Sequence, residues 1–271
     1  MKKVSAVEIF SKAFYFTFSN FDLIILIFLI HATASVISSI VSYYFSPPFL
    51  IEYEYISTFF PTSSTSKIAL LVEIVLQIFL FLTYVFSLII IFLYIFAKRY
   101  KKVSFTKIIV NTKNYYLGTL IIVLVLMSIF ILPILPFTYF ILNFSVPSIL
   151  SQLLLILSFL ALLVILIYIS LRLSLSLPIY FERKEVVESL KKSWKITKGN
   201  VFKLFLVNVL VGLVTIAFFA LLTFFLLLVL LTDIMLRVVL NSLIFSLFTS
   251  LFQILTASSH AFFYFKLKGR R

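Results

Sequence analysis

The chain has 271 residues, of which 63% are hydrophobic and 12% charged, and its mean hydropathy is +1.23. Soluble domains are about 45–50% apolar and about 25% charged, and even one of about 300 residues buries only about 75% of the surface its unfolded chain exposes. The soluble-enzyme classes are therefore excluded, and lipid is the natural solvent for most of this chain. The net charge of +14, from 23 basic and 9 acidic residues, would point to nucleic acid on a soluble surface. Here the placement of the charges along the chain argues against direct nucleic-acid binding. No cysteine is present, which removes disulfides, thiolate catalysis and cysteine-held metal clusters.

The N-terminal run MKKVSAVEIFSKAFYF is amphipathic and carries Glu8 and Lys12. It has no clean apolar stretch beside a small-residue cleavage site, so it reads as mature protein and not as a cleaved signal. Ser5 and Glu8 have the spacing of a capping box, which closes free amides at a helix start. On a helix, Val7, Phe10, Ala13, Phe14 and Thr17 share one face, which suits a helix lying in the headgroup plane.

A membrane span needs ~20 predominantly apolar residues. Six stretches qualify, over 21–45, 68–97, 115–137, 149–177, 201–232 and 238–265. The expected fold is all-α: a six-transmembrane-helix bundle with amphipathic cytoplasmic interfacial helices, forming one integral membrane domain over 1–271. All of the basic residues except Lys67 and Arg237 fall before span one, between spans two and three, at or after the end of span four, or after span six. Lys and Arg near span ends stay in the cytoplasm. Both termini are therefore expected to be cytoplasmic, in a multi-pass protein of the plasma membrane. The 46–67 segment then becomes an extracytoplasmic connector.

The cytoplasmic segments are patterned. Over 186–198, Val186, Val187, Leu190, Trp194 and Thr197 share a face against Glu188, Lys191, Lys192, Lys195 and Lys198, and Gly199 supplies a C-terminal stop. This segment aligns with the N-terminal one at an offset of 180 residues, with Val7/Val187, Glu8/Glu188, Lys12/Lys192, Thr17/Thr197 and Asn20/Asn200 identical. A third segment, Ser104 to Asn114, also opens into a span. The layout reads as three same-sense units near 1–97, 98–177 and 178–271, each an interfacial helix followed by a membrane hairpin.

Arg172, Pro178 and Glu182, followed by Ser193, Trp194, Thr197, Lys198, Gly199 and Phe202, form a pattern that resembles the polytopic membrane-domain family. That family is found fused to some bacterial glycerophosphodiester phosphodiesterases and alone in bacterial and archaeal membrane proteins. Ser189 stands where that pattern has Ala, and Ile196 where it has Leu. The resemblance implies a membrane domain without the soluble phosphodiesterase domain, so it transfers no enzyme activity. With Lys191 and Lys192, the pattern residues are candidates for contact with lipid or with a partner.

A second candidate set lies inside the spans: His31, Glu73, Gln77 and Asn208. Intramembrane ionisable residues are functional candidates by default, and each also has a packing reading as interhelical glue. Arg172 has two readings, snorkelling to the headgroups or pairing with Glu182 or a phospholipid phosphate through its fork. No nucleophile elbow, phosphate loop or metal-ligand spacing occurs, and no cofactor or metal is expected. The resulting expectation is a non-enzymatic membrane protein whose basic face meets anionic lipid or another membrane-protein subunit. The alternative is a subunit of a transport, export or translocation system.

Overall fold

The computed structural model describes residues 5–45, 64–99, 104–143, 149–229 and 234–269. Among them there is no strand. The helices are α1 (Ala6–Ser19), α2 (Phe21–Phe45), α3 (Ser64–Arg99), α4 (Phe105–Asn143), α5 (Ile149–Leu173), α6 (Ser176–Arg183), α7 (Val186–Thr197), α8 (Val201–Val229) and α9 (Ile234–Lys268). Six stretches are long and apolar enough to cross a membrane: Phe21–Ser42, Leu70–Arg99, Phe105–Pro136, Leu155–Arg183, Val201–Leu221 and Val238–Lys268. The expected six-span, all-α class is what the chain adopts. Residues 46–63 of the expected outer connector lie outside the described residues.

Helix-forming backbones close their own hydrogen bonds, which hydrocarbon demands of any spanning segment. Large apolar side chains consequently face outward, among them Leu71, Ile74 and Val75 on α3 and Ile156, Leu160 and Val164 on α5. In water such surface would drive aggregation, whereas in hydrocarbon it is ordinary solvent contact.

The structure changes the expected plan at three places. Segment 104–114 is not a separate interfacial helix, because α4 runs unbroken from Phe105 through Asn114 and on past Pro133 and Pro136. The fourth stretch is interrupted at Ser174 and Leu175, and its end becomes the short helix α6. Pro178 fits there because the first turn of a helix has no acceptors for its amides. The third change concerns which helix faces are buried. On α7 the buried stripe is Ser189, Ser193 and Thr197, while Val187 and Trp194 are 62% and 41% exposed. On α1 the buried residues are Ile9, Ala13, Phe16 and Thr17, with Val7 and Phe14 outside. On α7 small residues win the packed face because they let helix backbones approach closely.

The 180-residue offset is visible in the hydrogen bonds. Thr17 Oγ1 donates to Ala13 O and Thr197 Oγ1 to Ser193 O, each at 2.8 Å. The Asn20 amide donates to Thr17 O and the Asn200 amide to Thr197 O. Ile24 and Leu204 then donate back to Asn20 O and Asn200 O, which restarts each helix as a span. Thr112 is also buried and donates to Ile108 O, but α4 continues through it without a break.

The chain divides into two compact units. One comprises Met1–Lys12, Phe92–Val209 and Ser259–Arg271; the other comprises Ala13–Ile91 and Leu210–Ser258. The first has a core of Ile9, Leu171, Leu175, Ile179, Leu204, Val207, Phe263 and Tyr264. Beside it Phe181 stacks on Phe92 at 5.0 Å and on Tyr115 at 4.9 Å. In the second unit, α9 turns Ser242, Ser246, Ser250 and Gln253 inward, and each of the three serine hydroxyls bonds the carbonyl one turn back.

Gly118 on α4 is where Tyr180 of α6 comes closest, and a Cβ there would overlap the phenol ring and hydroxyl. Gly118→Ala is expected to destabilise the protein by about 1–3 kcal/mol, the usual cost of overpacking. Adding Tyr180→Ala removes the clashing atoms, so the double variant should lose less than the two single losses combined, read from thermal unfolding in detergent.

Candidate functional site: a basic cleft and the latch that places it

Helices α5 and α7 end beside one another in the first unit, and each closes the other's open carbonyls. The last carbonyls of any helix lack intrahelical donors. Arg172, in the last turn of α5, extends its guanidinium to the carbonyl of Trp194, near the end of α7, with Nη2 to O at 2.6 Å. In return Ser193 Oγ donates to the carbonyl of Arg172 at 2.8 Å, and the Thr197 hydroxyl shares its one proton between Ser193 O at 2.8 Å and that same carbonyl at 3.2 Å. The guanidinium lies 4.4 Å from the Trp194 ring centroid and receives further support from Tyr168, whose hydroxyl accepts from Nη1 at 3.3 Å. A planar cation on an aromatic face is attracted by the ring quadrupole, and its charge also suits a helix C-terminus.

Arg172 is only 6% exposed. It is turned inward and is not paired with Glu182; its guanidinium caps the end of α7. Glu182 instead accepts from the Tyr264 hydroxyl and pairs with Lys268, both near the end of α9. Gly199 takes φ +79°, a left-handed conformation natural to glycine, and this ends α7 as the sequence suggested.

The latch fixes the rotation of α7. With Ser189, Ser193 and Thr197 turned inward, Lys192 and Lys195, together with Lys198 just beyond the helix, face a cleft of about 250 Å³. Ile196, Tyr264, Leu267 and Lys268 complete its lining. Lys191 is exposed and does not line it. Four lysines thus line a space that also has apolar wall. Sequence reasoning named the lysines of α7 but missed Tyr264, Leu267 and Lys268, and also Tyr168. The run Phe262 to Lys268, four aromatics followed by two lysines flanking Leu267, was the available signal.

More of the basic end is tied down by charge. The Glu8 amide donates to the Ser5 hydroxyl at 3.4 Å, which is one half of the expected capping box. The other half of the expected box is replaced, because the Glu8 carboxylate pairs with Lys12 and with Lys266, each at 2.9 Å. Hydrogen bonds from Lys12 first and then Lys266 pull the Glu8 carboxyl from 4.5 down to about 2. Glu185 moves the other way, raised by its hydrogen bond with Glu188, while Glu188 pairs with Arg183. Arg99 lies 3.8 Å from the Phe265 ring centroid and Lys184 5.0 Å from that of Tyr115.

Each intramembrane candidate has its own surroundings. His31 Nε2 lies 2.9 Å from Gln253 Oε1 and 3.0 Å from Ser87 Oγ. Gln253 Nε2 continues to the Tyr84 carbonyl at 2.9 Å. Glu73 accepts from Ser42, and Gln77 is exposed. Asn208 donates to Leu204 O and lies 3.1 Å from His260 Nε2. These are short polar contacts, mostly between helices, of the kind that contribute on the order of 0.6–2 kcal/mol in membrane bundles. Among the described residues no cluster of three or more His, Asp or Glu suits a metal ion.

Fold and composition define a multi-pass, all-helical membrane protein. Compared with models of known families, with curated proteins and with solved structures, the chain matches none.

Three outcomes follow from the latch and its surroundings. Arg172→Lys keeps the charge but loses the planar fork and should cost about 1.5–3 kcal/mol, the scale of a hydrogen bond to a charged group. Ser193→Ala and Thr197→Ala each leave one donor on the Arg172 carbonyl, so the double variant should lose more stability than the singles combined in a denaturation cycle. For Glu8 the folded pKa is depressed. Its contribution is therefore complete above 4.5 and lost as pH falls towards about 2. Amide protection at the start of α1, taken relative to the intrinsic exchange rate at each pH, should be constant from neutrality to pH ~5 and fall below it, and Glu8→Gln should show the lower protection already at neutral pH.

Proposed function

We propose that this is a non-enzymatic integral membrane protein whose basic end engages anionic lipid headgroups through the cleft between α7 and the end of α9. In this reading the basic end faces the cytoplasm, and α1 and α7 lie in the headgroup layer. The observation that carries it is the cleft itself: Lys192, Lys195, Lys198 and Lys268 around an opening that Ile196 and Leu267 also line. Each Lys near an anionic leaflet contributes about 1 kcal/mol of attraction. The outward Val187 and Trp194 supply the apolar anchor such a helix uses, and α7 is the most amphipathic of the described helices. The motif from Arg172 to Phe202 supports placing the chain with the polytopic membrane-domain family, and its latch residues give that motif a physical meaning. A transport subunit would gather His31, Glu73, Gln77 and Asn208 on one path. Instead, His31, Glu73 and Asn208 have separate partners and Gln77 is exposed.

Trp194 is the chain's single tryptophan, so its fluorescence reports on α7 alone. In vesicles, brominated lipids should quench it most when the bromines sit close to the headgroups; strongest quenching from bromines at the acyl ends would overturn the interfacial placement. Changing Lys191, Lys192, Lys195 and Lys198 together to Gln should abolish enrichment of anionic over zwitterionic lipid on purification. Unchanged enrichment in a normally inserted variant would remove the lipid reading.

A further inference from the structure

Resting on the lipid reading just given, we propose that the cleft selects a phosphomonoester headgroup over a phosphodiester, and that Glu182 is the resident carboxylate which that headgroup displaces from Lys268. Four lysines line the opening, and Glu182 stands beside it, held by Lys268 and by the Tyr264 hydroxyl, two of the lining residues. Lys192 also attracts Glu182 electrostatically. Lys195 and Lys198 have no acidic partner among the described residues. The cleft is thus a cationic site already holding one carboxylate, and a ligand enters by bettering it.

Charge decides which ligand succeeds. A phosphodiester brings one negative charge, so exchanging it for the Glu182 carboxylate on Lys268 replaces like with like. A monoester carries about −1.5 to −2 at neutral pH, with three strong acceptor oxygens. It can take over Lys268 and still present charge to Lys195 and Lys198. Glu182, once released, keeps the attraction of Lys192. Size agrees: drug-sized ligands occupy about 300–1,000 Å³, and the cleft of about 250 Å³ suits a headgroup. The apolar surface of Ile196 and Leu267 suits the glycerol end of a lipid more than free phosphate, which is hydrated all round.

The test uses full-length protein in phosphatidylcholine nanodiscs containing phosphatidic acid or twice its mole fraction of phosphatidylglycerol, which matches surface charge. Retained lipid is counted by native mass spectrometry. Phosphatidic acid should be retained about fivefold better, the effect of one extra lysine–charge contact. Glu182→Gln leaves every lysine in place and removes the competitor, so it should raise phosphatidylglycerol retention most and narrow that ratio. Tyr264→Phe weakens the hold on Glu182 by another route and should narrow it in the same direction. Lys195→Gln with Lys198→Gln should bring phosphatidic acid down to the phosphatidylglycerol level. Equal retention of the two lipids, or a ratio unmoved in both the Glu182 and Tyr264 variants, overturns the monoester proposal while leaving anionic-lipid binding intact. Equal retention of phosphatidylcholine overturns the lipid reading itself. Displacement of bound phosphatidic acid by millimolar inorganic phosphate would assign the site to free phosphate and overturn the lipid source.

Discussion

Two helix ends meet in the first unit, and neither could close its carbonyls alone. The last turn of α5 offers the carbonyl of Arg172, and the last turn of α7 offers that of Trp194. Serine and threonine hydroxyls cap the first, and a guanidinium caps the second. In a chain with so little polar surface, water is a poor alternative partner for such groups, and hydrocarbon offers none. Because the donors and acceptors run in both directions, the two ends hold each other in register. The rest of the basic end inherits that register: the inward serine stripe, the outward tryptophan and the lysine-lined opening all follow from how α7 is rotated.

The same economy governs the second unit. Its polar side chains are few, and they are used on one another. His31, Ser87 and Gln253 close a network with the carbonyl of Tyr84, and the serines of α9 bond their own helix one turn back. A residue that looks chemically active in a hydrophobic sequence is often there because a helix needs one specific contact. Glu73 illustrates this, since its partner is the nearest hydroxyl across a helix pair, Ser42. Functional chemistry is therefore better sought where polar groups outnumber their internal partners. In the first unit that place is the opening lined by Lys192, Lys195, Lys198 and Lys268.

Much of the architecture was legible from residue order. Hydrophobic run length places six spans, and the observed second helix has the bounds expected of the first span. The breaks at Asn20 and Asn200 were legible too, because an asparagine three residues after a threonine recurs at an offset of 180. The continuous α4 was not. Residues 104–114 share the polar dress of the other two segments but have no glycine or comparable stop, so the helix has no reason to end. Buried faces were misread for a related reason. Apolarity marks the core in a soluble protein, whereas here large apolar side chains are also at home outside, and on α7 and α9 small polar residues take much of the packed face.

By itself, residue order determined that the chain is helical, that it can cross a bilayer six times, and where its positive charge collects along the chain. These follow from one-dimensional quantities, namely length, hydropathy and charge position, which solvent acts on directly. Only the tertiary structure decided what Arg172 touches, which lysines share an opening, and that Glu182 belongs to Lys268 and Tyr264. Those partnerships join residues some 20 to 86 positions apart. They depend on how each helix is rotated about its axis. That rotation is set by the fit of small side chains against neighbouring helices and by the closure of carbonyls at helix ends, and neither leaves a periodic trace in the sequence.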